Sequence, residues 1–353
     1  MLPFKLGERT FSCFDPYIIA EIGVNHEGDL DRAKRLIDAA AAGGAHAAKF
    51  QTYKADKLAA KGASPAYWDR TKEAADSQHT LFQRWDNFGD NEYKALAAHC
   101  ADAGVDFMST PFDLEAVDLL APLMPAVKIA SADLTNIPLL RKVAATGLPV
   151  ILSTGAARMD EIATALAVLG DAGAASVSLL HCILNYPTLP ENGQLAQIPA
   201  LQRAFGAECA IGYSDHVKPE GDGSTPALEM AVHLGAVVLE KHFTDDKTGV
   251  GNDHYHAMDQ RDLAAFTAKL TQLRALFGSG RRDLDGQQAA ISNARRRIIA
   301  ARDMAEGEVL TEADLIPLRS NVGVEIAHWD AVVGRRAARP ILAGAPLHWR
   351  DLA

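Results

Sequence analysis

The chain has 353 residues, of which 48% are hydrophobic and 23% charged, and its formal net charge is −10. This is the composition of a soluble globular protein with one large and one small domain or two ordinary ones, and the acidic balance argues against nucleic acid or an anionic membrane as the main partner. No apolar segment reaches membrane-spanning length, the N-terminus lacks the apolar core of a signal peptide, and four cysteines without CxxC spacing read as reduced thiols, so a cytoplasmic protein is expected.

Short apolar runs recur in chain order, each followed by a stretch of helical periodicity. The predicted strands are YIIAEIG (17–23), AAKFQT (47–52), VDFMST (105–110) and AVKIAS (126–131), then PVILSTG (149–155), SVSLLHC (176–182), CAIGYSD (209–215) and AVVLEKHF (236–243). LDRAKRLIDAAAAGG, MDEIATALAVLGDAG and PALEMAVHLGA read as intervening helices, the first stopped by Gly43 and Gly44. Most strands lack alternation, as expected when both faces of a parallel sheet are buried. Eight β-α units fit a (β/α)8 barrel. A doubly wound open sheet is the rival, disfavoured by the eight repeats and the absence of a GxGxxG motif.

A barrel of this kind carries its active site at the C-terminal ends of its strands. Those ends read Glu21; Lys49 and Gln51; Ser109 and Thr110; Ser131; Ser153 and Thr154; His181; Ser214, Asp215 and His216; Glu240, Lys241 and His242. Each has a bland explanation, since loops are polar and Ser or Thr often caps the next helix. All eight ending this way is harder to dismiss. His216 and His242 end neighbouring strands, which run about 4.8 Å apart, and two imidazoles so placed can share one divalent ion such as manganese or magnesium. Lys49 and Lys128 sit at the ends of otherwise apolar strands, where a buried ammonium needs a partner. A salt bridge would serve; so would a phosphate or carboxylate, with Thr110, Ser131, Ser153 and Ser214 adding donors. Glu21, before the polar loop NHEG (25–28), is a candidate proton carrier or an orienting group.

The motifs IAEIGVNHEGDLDRAKRLIDAA, KFQT, FMSTPF, KIAS, ILSTG, LLHC..NYPT, IGYSDH and LEKHFT, in this order over almost the whole chain, resemble the sialic acid synthase family of N-acetylneuraminate, legionaminate and pseudaminate synthases. The resemblance implies a transferase that condenses phosphoenolpyruvate with the open-chain aldehyde of an N-acylated hexosamine and releases phosphate by C–O cleavage. It implies a metal, usually manganese with magnesium or cobalt as alternatives, on His216 and His242, and a phosphoenolpyruvate site of Lys49, Thr110, Lys128, Ser131, Ser153 and Ser214. Glu21 matches the family's mouth glutamate, and Gln51, Tyr186 and Asp253 match acceptor-sugar contacts. The chain departs from the family pattern twice. Asp133 stands where N-acetylneuraminate synthases usually have glutamate, which leaves the acceptor sugar open. Leu184 stands where an asparagine ligand is usual, with Asn185 next along as its possible replacement. In the segment 240–256, His254 and His256 alternate along an extended stretch and are expected on opposite sides, in sugar-facing or packing roles rather than as metal ligands.

After the Gly/Arg/Asp-rich FGSGRRDLDGQQ (277–288) the pattern changes to short β-like runs. A catalytic barrel over 1–278, a linker over 279–293 and a small domain over 294–353 are expected. GEVLTEADL (307–315) and GAPLHWRDL (344–352) share G-x-x-L-x-x-x-D-L, a repeat that two occurrences alone do not prove. About sixty residues bury a marginal core. The tail resembles the antifreeze-like (SAF) domain of sialic acid synthases, which in that family reaches over the partner's barrel. That implies a domain-swapped homodimer, with Arg319 meeting the acceptor's N-acyl group from the other chain. Two other readings compete: a metal-dependent barrel hydrolase using the HYH histidines, and a non-catalytic carbohydrate- or ice-binding protein.

Overall fold

The computed structural model describes residues 2–64, 74–250 and 253–353. The chain divides into two compact units, Met1–Phe277 and Gly278–Ala353.

The first unit opens with a hairpin, β1 (Phe4–Leu6) and β2 (Arg9–Phe11). Eight parallel strands follow: β3 (Tyr17–Gly23), β4 (Ala47–Thr52), β5 (Asp106–Pro111), β6 (Val127–Ile129), β7 (Val150–Ser153), β8 (Val177–Cys182), β9 (Ala210–Asp215) and β10 (Val238–His242). Their ladder runs β5-β4-β3-β10-β9-β8-β7-β6, and β5 lies against β6 to complete a nearly closed barrel of the predicted (β/α)8 type. Helices connect successive strands, and their ends obey local chemistry. Asp29 caps the helix Leu30–Gly43 by accepting from the N–H groups of Asp31 and Arg32, and Gly44 stops it in the left-handed region at φ 92°.

Alternation along each strand sorts the residues into two layers. Ile18, Ala20, Phe107, Leu152, Tyr213 and Leu239 point outward into the core beneath the helices. Tyr17, Ile19, Ala47, Met108, Ile151, Leu180 and Val238 point inward and fill the lower half of the barrel. The hairpin closes that lower end: Phe4, Leu6 and Phe11 join the inner layer, and the Phe4 and Phe11 rings lie 5.4 and 4.9 Å from the Tyr17 ring. The sequence reading did not find the hairpin, whose strands of three residues each are too short to show a period. The interior is tight at Gly212, where an added Cβ would lie 2.4 Å from both Leu180 Cδ2 and the Val238 carbonyl oxygen.

In the second unit β11 (Arg296–Ala300) pairs antiparallel with β12 (Leu315–Arg319) around a core of its own. The suspected repeat is real in three dimensions. Arg302, Met304, Gly307, Leu310, Asp314 and Leu315 recur at a constant offset as Arg339, Ile341, Gly344, Leu347, Asp351 and Leu352. Met304 and Ile341 exchange backbone hydrogen bonds of 2.8 and 2.9 Å, and Gly307 N–H to Ala337 O is matched by Gly344 N–H to Ala300 O. Each half ends in the same staple: Asp314 accepts from the Thr311 N–H and Arg302 Nε, and Asp351 from the His348 N–H and Arg339 Nε. Two half-units that cannot bury a core alone therefore interlock about a local two-fold axis.

Gly212→Ala is expected to destabilise the barrel by about 1–3 kcal/mol through overpacking against backbone, measured as a lowered unfolding midpoint. Asp351→Ala removes a buried acceptor from a backbone N–H and an arginine; it is expected to cost about 1–2 kcal/mol in chemical denaturation of the second unit, and Asp314→Ala a similar amount.

Candidate active site

The inward positions of the upper barrel are polar where those below are apolar. Two residues beyond Ile19, Ala47 and Val238 the same faces carry Glu21, Lys49 and Glu240. All are at most 6% exposed, as is Lys128 on β6. They line a cavity of about 430 Å³ together with Gln51, Thr110, Ser131, Asp133, Ser153, Cys182, Leu184, Tyr186, Ser214, His216, His242 and Asp253. The barrel residues assigned to the metal, the anion and the acceptor sugar are thus gathered in one cavity, although not every polar strand end is. Arg319, expected to act from a partner chain, ends β12 in the second unit, exposed and opposite Arg296.

Four buried charges form the centre. Lys49 Nζ lies 2.5 Å from Glu21 Oε2, 3.7 Å from Glu240 Oε2 and 3.0 Å from Thr110 Oγ1. Lys128 Nζ lies 3.6 Å from Glu240 Oε1, which also accepts from Ser214 Oγ at 2.9 Å. Gln51 Nε2 donates to Glu21 Oε1 at 3.0 Å. The two carboxyls are pushed apart. Burial raises Glu21, reinforced by Glu240 and only partly opposed by Lys49. Burial would raise Glu240 too, but Lys128 and Lys49 together hold it below its ordinary value. Glu240 therefore stays ionised between the lysines while Glu21 holds a proton more readily, the divergence that separates acid from base at a site. The sequence reading named Glu240 among the polar strand ends but gave it no role at the site. Its signal was available: it stands two positions before His242 on the same strand and so shares its face.

Around this centre stand hydroxyls and backbone donors. Ser153 Oγ is buried with no hydrogen-bond partner, and Ser131 Oγ accepts the Gly155 N–H at 2.8 Å. Two ammoniums and an unmatched hydroxyl in a closed-bottomed cavity suit an anion with several oxygens. An apolar wall of Leu58, Phe82, Phe112 and Leu184 lines the same cavity. Leu184 itself occupies the place where an asparagine was expected, and Asn185, its suggested replacement, is exposed and absent from the lining. Asp133 accepts from Asn136 Nδ2 at 2.9 Å, and burial raises its carboxyl.

The histidines adjoin the charged centre. The rings of His216 and His242 are centred 5.3 Å apart, with Tyr186 4.3 Å from His216. His216 Nδ1 lies 2.7 Å from the Ile183 carbonyl, which places its proton there and leaves Nε2 as a lone-pair donor. His242 is held neutral, burial and then the neighbouring His256 and His216 pulling it well below its ordinary value, and its Nδ1 is buried without a hydrogen bond. His216 is pushed the other way, its burial outweighed by the neighbouring Cys182 and the Ile183 carbonyl, so a metal there would have to displace its proton. His242, already neutral, offers an uncommitted nitrogen to a divalent ion. The segment 253–256 brings more than expected. Ligand atoms of His242, Asp253 and His256 lie within 4.8 Å of one another, and the His256 ring is centred 4.8 Å from His242 and 6.0 Å from His216. His256 thus belongs to the histidine cluster. His254 faces away, with Nδ1 2.7 Å from Thr244 Oγ1 and Nε2 3.2 Å from Glu27 Oε1, so the HYH pair is split between two environments and does not form a metal site of its own. The same alternation turns other polar strand ends outward: Ser109 pairs with Thr52, and His181 stacks on Tyr213.

Comparison with known proteins gives this arrangement a family. The NeuB family profile matches residues 36–282 and the SAF domain profile residues 295–353. An N,N'-diacetyllegionaminic acid synthase of Campylobacter jejuni is 36% identical over 91% of this chain and 96% of its own. Its namesake from Legionella pneumophila is 33% identical over 97% of this chain and 95% of its own. The crystal structure of an N-acetylneuraminic acid synthetase from Leptospira borgpetersenii superposes with a TM-score of 0.69 at 32% identity, over 82% of this chain and 95% of that one.

If the lysine pair is an anion site, saturating inorganic phosphate is expected to raise the thermal unfolding midpoint of the wild type, and Lys128→Met to abolish most of that rise. An undiminished rise in the variant would show that the phosphate binds elsewhere.

Proposed function

The chain is a member of the NeuB family, and on that premise we propose that it is a nonulosonic acid synthase. It joins phosphoenolpyruvate to the open-chain aldehyde of an N-acylated hexosamine. The enol carbon of phosphoenolpyruvate forms a bond to the aldehyde carbon, water supplies the oxygen of the new 2-keto group, and the C2–O bond to phosphate breaks. The observation that carries this reading is the pair of buried lysines, Lys49 and Lys128, sharing one cavity with the histidine cluster.

In this reading Lys49 and Lys128 neutralise the carboxylate and phosphate of phosphoenolpyruvate, with Thr110, Ser131, Ser153 and Ser214 supplying hydrogen bonds. Glu240 opposes the burial that disfavours both ammoniums. With Glu21 it outweighs burial at Lys49, whereas Lys128 stays below its ordinary value and is the one that gains most from an incoming anion. Glu21, raised by its burial, delivers a proton to the aldehyde oxygen as the carbon–carbon bond forms. His216 and His242, with Asp253 and His256 beside them, would hold a divalent ion, manganese before magnesium or cobalt. Such an ion supplies Lewis-acid polarisation of the aldehyde. Gln51, Asp133, Tyr186 and Asp253 face the acceptor sugar. The apolar wall of Leu58, Phe82, Phe112 and Leu184 suits acyl methyls or a deoxy carbon better than a fully hydroxylated chain, and the legionaminic acid synthase relatives support the same choice. A 2,4-diacetamido-dideoxy hexose is therefore favoured over N-acetylmannosamine, and both over an unsubstituted hexose. A domain-swapped homodimer, with Arg319 reaching the partner's acceptor, and a cytoplasmic setting belong to the same proposal. Among the described residues no helix is long and apolar enough to cross a membrane.

The test is phosphate release from phosphoenolpyruvate with manganese, across a panel of these sugars, with and without EDTA. Release with an N-acylated sugar, lost on chelation, is expected. Release that ignores the chelator would remove the metal from the mechanism. A folded protein silent with every N-acylated sugar would overturn the assignment.

A further inference from the structure

The two strands that present the histidines carry opposite charges on their other face. Asp215 directly precedes His216 and Lys241 directly precedes His242, and strand register sets Lys241 opposite Asp215. Alternation turns both away from the cavity, onto the face where Tyr213 and Leu239 join the outer core. Each is 1% exposed, and Lys241 Nζ lies 2.7 Å from Asp215 Oδ2. Tyr213 donates its hydroxyl to Asp215 Oδ1 at 2.9 Å.

What else the pair holds is informative. Asp215 Oδ1 accepts the Val217 N–H at 2.8 Å, and Lys241 Nζ also donates to the Val217 carbonyl. Val217 follows His216, so both polar groups of the backbone just beyond that histidine are fastened to the ion pair, and through Lys241 to the strand of the other histidine. A buried ion pair is a weak source of stability, because dehydrating two charges offsets most of their attraction, and an apolar pair of similar volume is often as stable. A geometric need accounts for its presence better.

We propose that Asp215 and Lys241 are positioning residues for the histidine pair, locking the ends of β9 and β10 in the register that lets His216 and His242 converge on one divalent ion. The proposal rests on the metal-site reading above. Neither residue lines the cavity. They act through the histidines, as partners behind metal ligands do when they fix ligand orientation.

The test uses the double variant Asp215→Leu/Lys241→Met, which leaves no charge unpaired, and the single variant Asp215→Asn, which keeps an acceptor oxygen for the Val217 N–H. Metal-stripped protein is titrated with Mn²⁺, free ion is read by electron paramagnetic resonance, and thermal unfolding is followed in parallel. The double variant also strips the Val217 backbone groups and the Tyr213 hydroxyl of partners. It is expected to fold with a lowered midpoint and to bind Mn²⁺ about 10–100-fold more weakly, with Asp215→Asn between wild type and the double variant in both readouts. Wild-type affinity in a folded double variant overturns the proposal. So does a lowered midpoint with unchanged affinity in either variant, which is the mark of a purely structural pair. If the double variant does not fold, Asp215→Asn decides by the same comparison. Wild-type protein that binds no Mn²⁺ overturns the metal site itself, and this inference with it.

Discussion

Four charges taken out of water at the mouth of the barrel set the terms for the rest of the first unit. An isolated ammonium or carboxylate there would be expensive, and only mutual pairing makes the set tolerable. Lys49 lies against Glu21 and Glu240, and Lys128 against Glu240. The pairing demands strands held in fixed register, an apolar floor that excludes water from below, and a lid on that floor. The inward layer from Tyr17 to Val238 supplies the floor, and the N-terminal hairpin closes it. The cluster is also incompletely satisfied, as the lone hydroxyl of Ser153 shows, and that residual demand is what an anionic substrate would meet.

The histidines depend on the same sheet by another route. Each stands at a strand end, where the next peptide is free to splay. On β9 the peptide beyond His216 is tied down from the outer face by Asp215 and Lys241, while Ile183 fixes the ring from the neighbouring loop. In the proposed reading the inner face of these two strands carries the chemistry, and their outer face is the scaffold that aims it. Catalytic geometry in this fold is thus a property of both faces, and a reading confined to cavity-lining residues would miss half of what positions them.

The second unit meets a different constraint, which is size. Its core is small, and it gains order by duplication: each half contributes the same leucines, the same glycine turn and the same Arg–Asp staple, and each completes the other's backbone hydrogen bonds. Exposed Ile316, Leu318, Val322 and Leu342 show that this core does not cover all of the unit's apolar surface.

By itself the sequence determined the eight strands, the barrel class and the residue types at the strand ends, because these follow from local periodicity and from the need to bury both faces of a parallel sheet. It also carried the resemblance that the family comparison bears out, since motif order is written along the chain. Tertiary structure alone decided which polar ends face the cavity. Ser109, His181, Asp215 and Lys241 turn outward while Thr110, Cys182, Ser214 and Glu240 turn inward, a choice of phase fixed by register between strands far apart in the chain. It also drew His256 into the histidine cluster and sent His254 to Thr244 and Glu27, because the turn that carries them folds back over β10 instead of continuing as a strand. Side-chain direction at such places comes from packing between distant segments, which no single stretch of sequence records.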